Sequence, residues 1–167
     1  MKLVYVTDYD ASNVHMYSGT GYHILRALIQ QGDFQIECIG PLKERYALFT
    51  KAKKLFYRIV LSKNYGRDRE PIQLIDYANQ IKKYLKSINY DLVFCPGTVP
   101  IAYLKIDKPI VFWSDATFAG TANFFPQYKN FCKETIRDGH KMEQLALSNC
   151  QLAIYSSEWA AKTAIEN

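Results

Sequence analysis

A glycine-containing turn, Ser18-Gly19-Thr20-Gly21, is the segment of this chain best suited to contact a ligand. It stands between the apolar run at 3–6 and a stretch with helical periodicity that stops at Gly32. Glycine permits positive φ and close approach of the backbone, and the N–H groups at a helix N-terminus attract phosphate, carboxylate or sugar oxygens. The turn therefore predicts a ligand site, although a tight turn that only starts a helix is the alternative. A dinucleotide fingerprint needs a third glycine where this chain has Ile24, so the turn is poor evidence for NAD.

The other reactive side chains form no recognised catalytic or metal-binding pattern. Asp8 and Asp10 follow the first apolar run and could suggest a magnesium pair, but solvated turn carboxylates or contacts to an acceptor fit them better. The three histidines are too dispersed for a metal site. The four cysteines lack CxxC spacing, which predicts reduced core thiols rather than zinc ligands or disulfides.

Short apolar runs alternate with helical patterns along the whole chain. Buried strands are predicted at Leu3–Val6, Phe34–Ile39, Leu92–Cys95, Ile110–Trp113 and Leu152–Tyr155. One helix is predicted to stop at Gly32, and a long one to precede the last strand. Another is predicted to begin at Pro71, with a core face formed by Ile72, Ile75, Ala78, Ile81 and Leu85. This alternation predicts a single α/β domain over residues 1–167, Rossmann-like, with a parallel sheet and helices on both faces.

Each predicted strand ends in a small or polar turn. In such sheets ligands bind beyond the carboxyl ends of the strands, so the turns there are candidate ligand contacts. They include Thr98 after the third strand, Asp115 after the fourth and Ser156 after the fifth. Ser156 and Ser157 are also expected to cap the last helix, and Asp115 has capping of a following turn as its alternative.

Composition indicates a folded domain without a membrane span. Apolar residues make up 49 % of the chain, and no low-complexity segment interrupts it. The longest apolar runs are far shorter than the roughly 20 residues that cross a bilayer, and no secretory apolar region follows Met1. These features predict a cytoplasmic protein.

Four segments resemble the amino-terminal, acceptor-side domain of a retaining GT-B glycosyltransferase of the family 4 kind: SGTGYHILRALIQQG, IECIGPL, VFWSDATFAG and LAIYSSEWAAKTAI. The resemblance spans nearly the whole chain. It implies one half of a GT-B fold, and an enzyme that transfers a sugar from a nucleotide-sugar donor to an acceptor without a metal or other cofactor. The family's second domain, which grips the nucleotide sugar, is expected to be missing here, so this chain alone is expected to be inactive.

The resemblance also implies roles for particular residues. Asp115 matches the position at which the family has an Asp or His facing the transferred sugar, where a carboxylate would offset positive charge at the anomeric carbon. Ser18, Gly19, Thr20 and Gly21 would approach the donor phosphate or the acceptor. The alternative from another class is a non-catalytic Rossmann-like module that binds a nucleotide or anion.

A basic segment, residues 43–69, carries nine of the basic residues against two acidic ones. Read as a helix, it places apolar side chains beside Lys51, Lys53, Lys54 and Arg58, a pattern that could rest on the anionic inner face of a membrane or on a partner. A core-packed helix with a solvated basic face is the favoured alternative. Nucleic acid is not predicted as a partner, because no recognised binding motif accompanies the charge.

Overall fold

Five parallel strands form one sheet at the centre of the molecule. The structure is a computed structural model that describes residues 1–122, 124 and 128–166. The strands are β1 (Lys2–Val6), β2 (Gln35–Ile39), β3 (Leu92–Cys95), β4 (Ile110–Ser114) and β5 (Leu152–Tyr155). Their order in the sheet is β2-β1-β3-β4-β5, and every neighbouring pair is parallel. The predicted Rossmann-like α/β fold is confirmed.

The described part of the chain also contains six helices, of which the last follows β5. They are α1 (Thr20–Gln31), α2 (Ala47–Val60), α3 (Pro71–Leu85), α4 (Phe118–Thr121), α5 (Lys133–Asn149) and α6 (Glu158–Glu166), with short 3₁₀ turns at Met16–Gly19, Arg67–Arg69 and Val99–Ile101. The predicted stop and start signals act as expected. Gly32 ends α1 with a φ of 75°, and Pro71 occupies the first turn of α3, where its missing N–H costs nothing.

The core has one apolar layer on each face of the sheet. In β1, Leu3 and Tyr5 pack toward Leu25 of α1. Val4 and Val6 point to the other face and join a larger cluster with α3 and α5. This alternation follows from the period of two along a strand. It fixes β1 in the sheet and so fixes where the turn after β1 emerges.

The inward face of α3 is rotated from the predicted one. Its buried apolar residues include Leu74 and Tyr77, whereas Ile72 and Ile75, which the periodicity placed on the core face, are exposed. The prediction was therefore wrong for the first turns of α3 and right for Ala78, Ile81 and Leu85, which are buried.

Helix α2 lies on the surface with its apolar residues in solvent. Thr50 is the only buried residue that the structure describes in this helix, whereas Leu48 and Ile59 are 85 % and 69 % exposed. The favoured interpretation of a core-packed helix was therefore wrong. Among the described residues, no helix combines the length and apolar character needed to cross a bilayer.

The order of strands creates a crevice between β1 and β3. The chain runs from β1 outward to β2, then returns to place β3 on the other side of β1. Connections on the two sides leave in opposite directions, which opens a crevice at the carboxyl ends of β1 and β3, and ligands bind at such switch points.

Candidate functional site

A cleft of about 760 Å³ opens at the carboxyl ends of the strands. This volume is within the range of small-molecule sites. Five of the residues predicted from the sequence line it together: Ser18, Thr20, Gly21, Thr98 and Asp115. They come from the turns after β1, β3 and β4, so the fold brings together residues that are almost a hundred positions apart.

The turn that precedes α1 has an unusual backbone conformation. Tyr17 and Ser18 have φ values of 48° and 54°, and Gly19, at the N-cap of α1, has a φ of 79°. Two successive non-glycine residues with positive φ are energetically costly and tend to occur at functional sites. This conformation places the first turn of α1 beside the cleft. The first N–H groups of a helix have no partners within the helix, so they are available to a ligand there. The predicted turn thus starts a helix and also lines the cleft.

Gly21 is required because protein atoms pack closely against it. A Cβ at this position would overlap the hydroxyl of Tyr9, and the carbonyl of Gly21 accepts a 2.6 Å hydrogen bond from the Tyr5 hydroxyl. The hydroxyl of Tyr9 is buried and has no hydrogen-bond partner among the described residues. The missing side chain of Gly21 therefore makes room for Tyr9, which was not expected from the sequence.

The side chain of Asp115 lines the cleft. It is exposed and makes no hydrogen bond or ion pair with any residue that the structure describes. The turn around it is held by its neighbours, because Ser114 Oγ donates to the Ala116 carbonyl at 2.8 Å and Thr117 Oγ1 accepts from Gly120 N–H at 2.9 Å. Thr117 is the N-cap of α4, so Asp115 does not serve as the cap.

Sequence reasoning missed two charged residues on the cleft wall. The Arg69 guanidinium lies 5.3 Å from the centre of the Phe118 ring, and its Nε is 3.6 Å from Asp68. Glu143 is buried, accepts a 2.5 Å hydrogen bond from Phe118 N–H, and has a pKa raised by burial. In the sequence, Arg69 is one of several basic residues of the segment 43–69, and Glu143 is one polar residue of a predicted helix. Nothing in the sequence indicated that either residue lines the cleft.

A second cavity of about 440 Å³ adjoins the cleft. The two share Tyr9, Tyr17, Val99 and Tyr128 as wall residues. Tyrosines line the second cavity together with polar and charged side chains, among which are Asp8, Gln73 and Arg67. The cleft therefore has a cation, Arg69, and a carboxylate, Asp115, without a partner among the described residues, and beside it lies a compartment of mixed aromatic and polar character.

Asp8 and Asp10 have different environments. Burial raises the pKa of Asp8, which lines the second cavity, to about 6. Asp10 is exposed, and hydrogen bonds from the hydroxyl and N–H of Ser12, at 2.7 and 2.9 Å, lower its pKa. In the part of the chain that the structure describes, no three His, Cys, Asp or Glu side chains are grouped as a metal would require.

Three predicted contact residues lie elsewhere. Gly19 is buried at the helix N-cap and does not line the cleft. Ser156 is exposed outside the cleft lining, with its N–H donating to the Ser114 carbonyl at 3.1 Å, while Ser157 Oγ accepts from Ala160 N–H as a cap for α6. Lys53 was predicted to face a membrane, but its Nζ points inward to Glu70 and Glu134.

No known family model matches this chain, and no curated protein matches it either. The resemblance of its motifs to the glycosyltransferase family therefore stays a prediction.

Proposed function

We propose that the chain is the acceptor-side domain of a retaining glycosyltransferase of the GT-B type, which transfers a sugar from a nucleotide-sugar donor to a hydroxyl acceptor. The observation that carries this proposal is the meeting of the glycine turn, Thr98 and Asp115 on one cleft at the carboxyl ends of the strands. The resemblance of the same segments to the family adds support.

The chemistry required of the cleft is modest. The bond between the anomeric carbon and the diphosphate oxygen breaks, the acceptor oxygen bonds to the same face of that carbon, and its proton passes to the departing phosphate. Positive charge develops on the sugar ring during this exchange. The carboxylate of Asp115, which has no partner among the described residues, would face that charge, while Arg69 and the N-terminus of α1 would favour the phosphate oxygens.

The second cavity is the acceptor compartment in this proposal. Its tyrosine rings offer flat apolar surfaces, and Asp8 and Gln73 offer hydrogen-bonding groups to hydroxyls. Because it shares Tyr9 and Tyr17 with the cleft, a molecule held there lies beside the reacting centre.

Product analysis on the natural full-length protein tests this proposal. The protein is incubated with a panel of uridine and guanosine diphosphate hexoses and hydroxylated acceptors, and the linkage formed is read by NMR. We expect transfer with the anomeric configuration of the donor. Transfer with inverted configuration contradicts the retaining mechanism, and nucleotide binding without any turnover favours the non-catalytic binding module instead.

A further inference from the structure

Asp8 is a mostly buried carboxyl group on the wall of the second cavity that lacks a charged partner. Apart from the N–H of its own residue, no group that the structure describes donates a hydrogen bond to it, and it forms no ion pair with a described residue. Its pKa of about 6 leaves the carboxylate ionised at neutral pH. Because charges that are removed from water are normally paired, this carboxylate needs a cation from elsewhere.

The cations around the second cavity do not meet this need. The Arg67 guanidinium is 2.7 Å from Glu44 Oε2, and Arg69, on the wall of the adjoining cleft, has its Nε 3.6 Å from Asp68 Oδ2. Lys54 also lines the cavity, but it is exposed, so water solvates its ammonium group. The charge that stays both buried and unpaired among the described residues is therefore negative.

Aromatic side chains surround the Asp8 carboxylate. Burial is the main cause that raises the pKa of Tyr17 and of Tyr77, and the charge of Asp8 is the next cause in both, so the two phenol groups lie near it. Tyr65 and Phe131 also line the cavity. A ring face attracts a cation through its quadrupole, and aromatic cages bind quaternary ammonium groups in this way. The rings and the carboxylate thus favour the same kind of charge.

We propose that the second cavity binds a positively charged acceptor, a hydroxylated amine or quaternary ammonium compound whose cationic group pairs with Asp8 among the tyrosine rings. The word acceptor rests on the proposed transferase function. Tyr9 and Tyr17 belong to the walls of both the cavity and the cleft, so a hydroxyl on the same small molecule can reach the cleft. A neutral polyol would leave the charge of Asp8 without a counterion, which disfavours it.

NMR titration of the 167-residue chain at pH 7 tests this proposal. The probes are choline and glucosamine, which are hydroxylated cations, and their uncharged counterparts dimethylbutanol and glucose. We expect each cation to bind about tenfold or more tightly than its counterpart, because an interaction with a charged group is stronger than one with a neutral group. Added salt should weaken the binding of the cations and leave that of the neutral probes unchanged.

The variant Asp8→Asn removes the charge and keeps the size of the side chain. It should bind each cation about as weakly as the neutral counterpart, and its circular dichroism should show that it is folded. The matched control is Asp33→Asn, which changes an exposed aspartate before β2, at the opposite end of the sheet from the cavity. This control should keep the full preference for the cations.

The unmodified chain overturns the proposal if it binds none of the probes or shows no preference for the cations. A preference that survives in Asp8→Asn overturns it as well. Product analysis on the full-length protein separates this failure from failure of the proposed function. Transfer to neutral acceptors alone would reject a cationic acceptor and keep the transferase, whereas cation binding that needs Asp8, without transfer to any acceptor, would reject the transferase and keep the cation site.

Discussion

Tyr9 and Gly21 illustrate how a single pair of residues shapes the cleft. The Tyr9 ring stacks on Tyr17 with 4.7 Å between ring centres, and its hydroxyl occupies the space that a side chain at Gly21 would need. The pair thereby packs the turn after β1 against the first turn of α1. Glycine at position 21 is thus explained by packing, whereas glycine at position 19 is explained by its φ of 79°.

Substituting Gly21→Ala should destabilise the chain by about 1–3 kcal/mol, the usual cost of overpacking. Tyr9→Phe alone should be nearly neutral or stabilising, since it removes a buried hydroxyl without a partner among the described residues. In the double variant, the Tyr9→Phe substitution should recover part of the loss, but not all of it, because Cζ of the ring would still lie 3.0 Å from the new Cβ. Urea denaturation of the four proteins measures this coupling, and additive effects would contradict the account of Gly21.

The raised pKa of Asp8 predicts that the stability of the folded chain depends on pH. Burial raises this pKa from 3.8 to about 6 in the folded chain, so between these values the folded state holds more protons than the unfolded state. Stability should therefore fall as pH rises from about 4 to about 6. Asp8→Asn removes this contribution and should be about 2 kcal/mol more stable than the unmodified chain at pH 7, with little difference at pH 4.

Free energies of unfolding at pH 4, 5, 6 and 7 check the Asp8 prediction. Other buried carboxyl groups, such as Glu143, titrate in both proteins and cancel in the difference. A difference that stays constant with pH, or a less stable variant at pH 7, would contradict it.

At the scale of elements, sequence patterns located the helices and strands better than they oriented them. The predicted strands, the last residue of α1 before Gly32 and the start of α3 at Pro71 agree with the structure. These features could be predicted because they depend on residues that are neighbours in the sequence. The rotation of a helix depends instead on its partners. In α2 the spacing shows that one face is apolar, but only the distant residues Glu70 and Glu134, which attract Lys53, reveal that the apolar face is outward.

Only some of the residues that line the cleft could be predicted from the sequence. Ser18, Thr98 and Asp115 could be predicted from sequence because each follows an apolar run and the ends of parallel strands meet. Arg69 and Glu143 could not, because they come from a 3₁₀ turn and the middle of a helix and reach the cleft only through tertiary packing.

Lys53 holds α2 in place and should matter for stability. Its side chain is 21 % exposed and that of Glu70 only 8 %, so the Lys53→Met variant would leave a buried carboxylate without its cation. We expect a loss of about 2–3 kcal/mol, below the range for a fully buried pair because water reaches Lys53. The control is Lys51→Met on the same helix, where an exposed lysine without an ion pair among the described residues should change stability by less than about 0.5 kcal/mol.

Urea denaturation of the Lys53→Met and Lys51→Met variants tests whether the ion pairs of Lys53 stabilise the fold. Equal effects of the Lys53 and Lys51 substitutions would show that the contacts to Glu70 and Glu134 do not anchor α2.

At the scale of the whole molecule, the cleft and the outward face of α2 are distinct surfaces. The cleft is built from the turns after β1, β3 and β4, whereas α2 contributes Thr50 and Lys54 only to the adjoining second cavity. The polar side of α2 thus borders the proposed acceptor compartment while its apolar side points away from it.

Removal of the Asp115 carboxylate from the cleft is the most direct test of the proposed function. Asp115 has no structural partner among the described residues, so Asp115→Ala should leave the melting temperature unchanged while kcat for sugar transfer falls by roughly tenfold or more. Asp107→Ala is the control, because Asp107 is an exposed aspartate before β4, at the opposite end of the strand from Asp115. The decisive measurement is kcat of both variants in the natural full-length protein. A large loss confined to Asp115→Ala supports the account, and equal turnover of the two variants would contradict it.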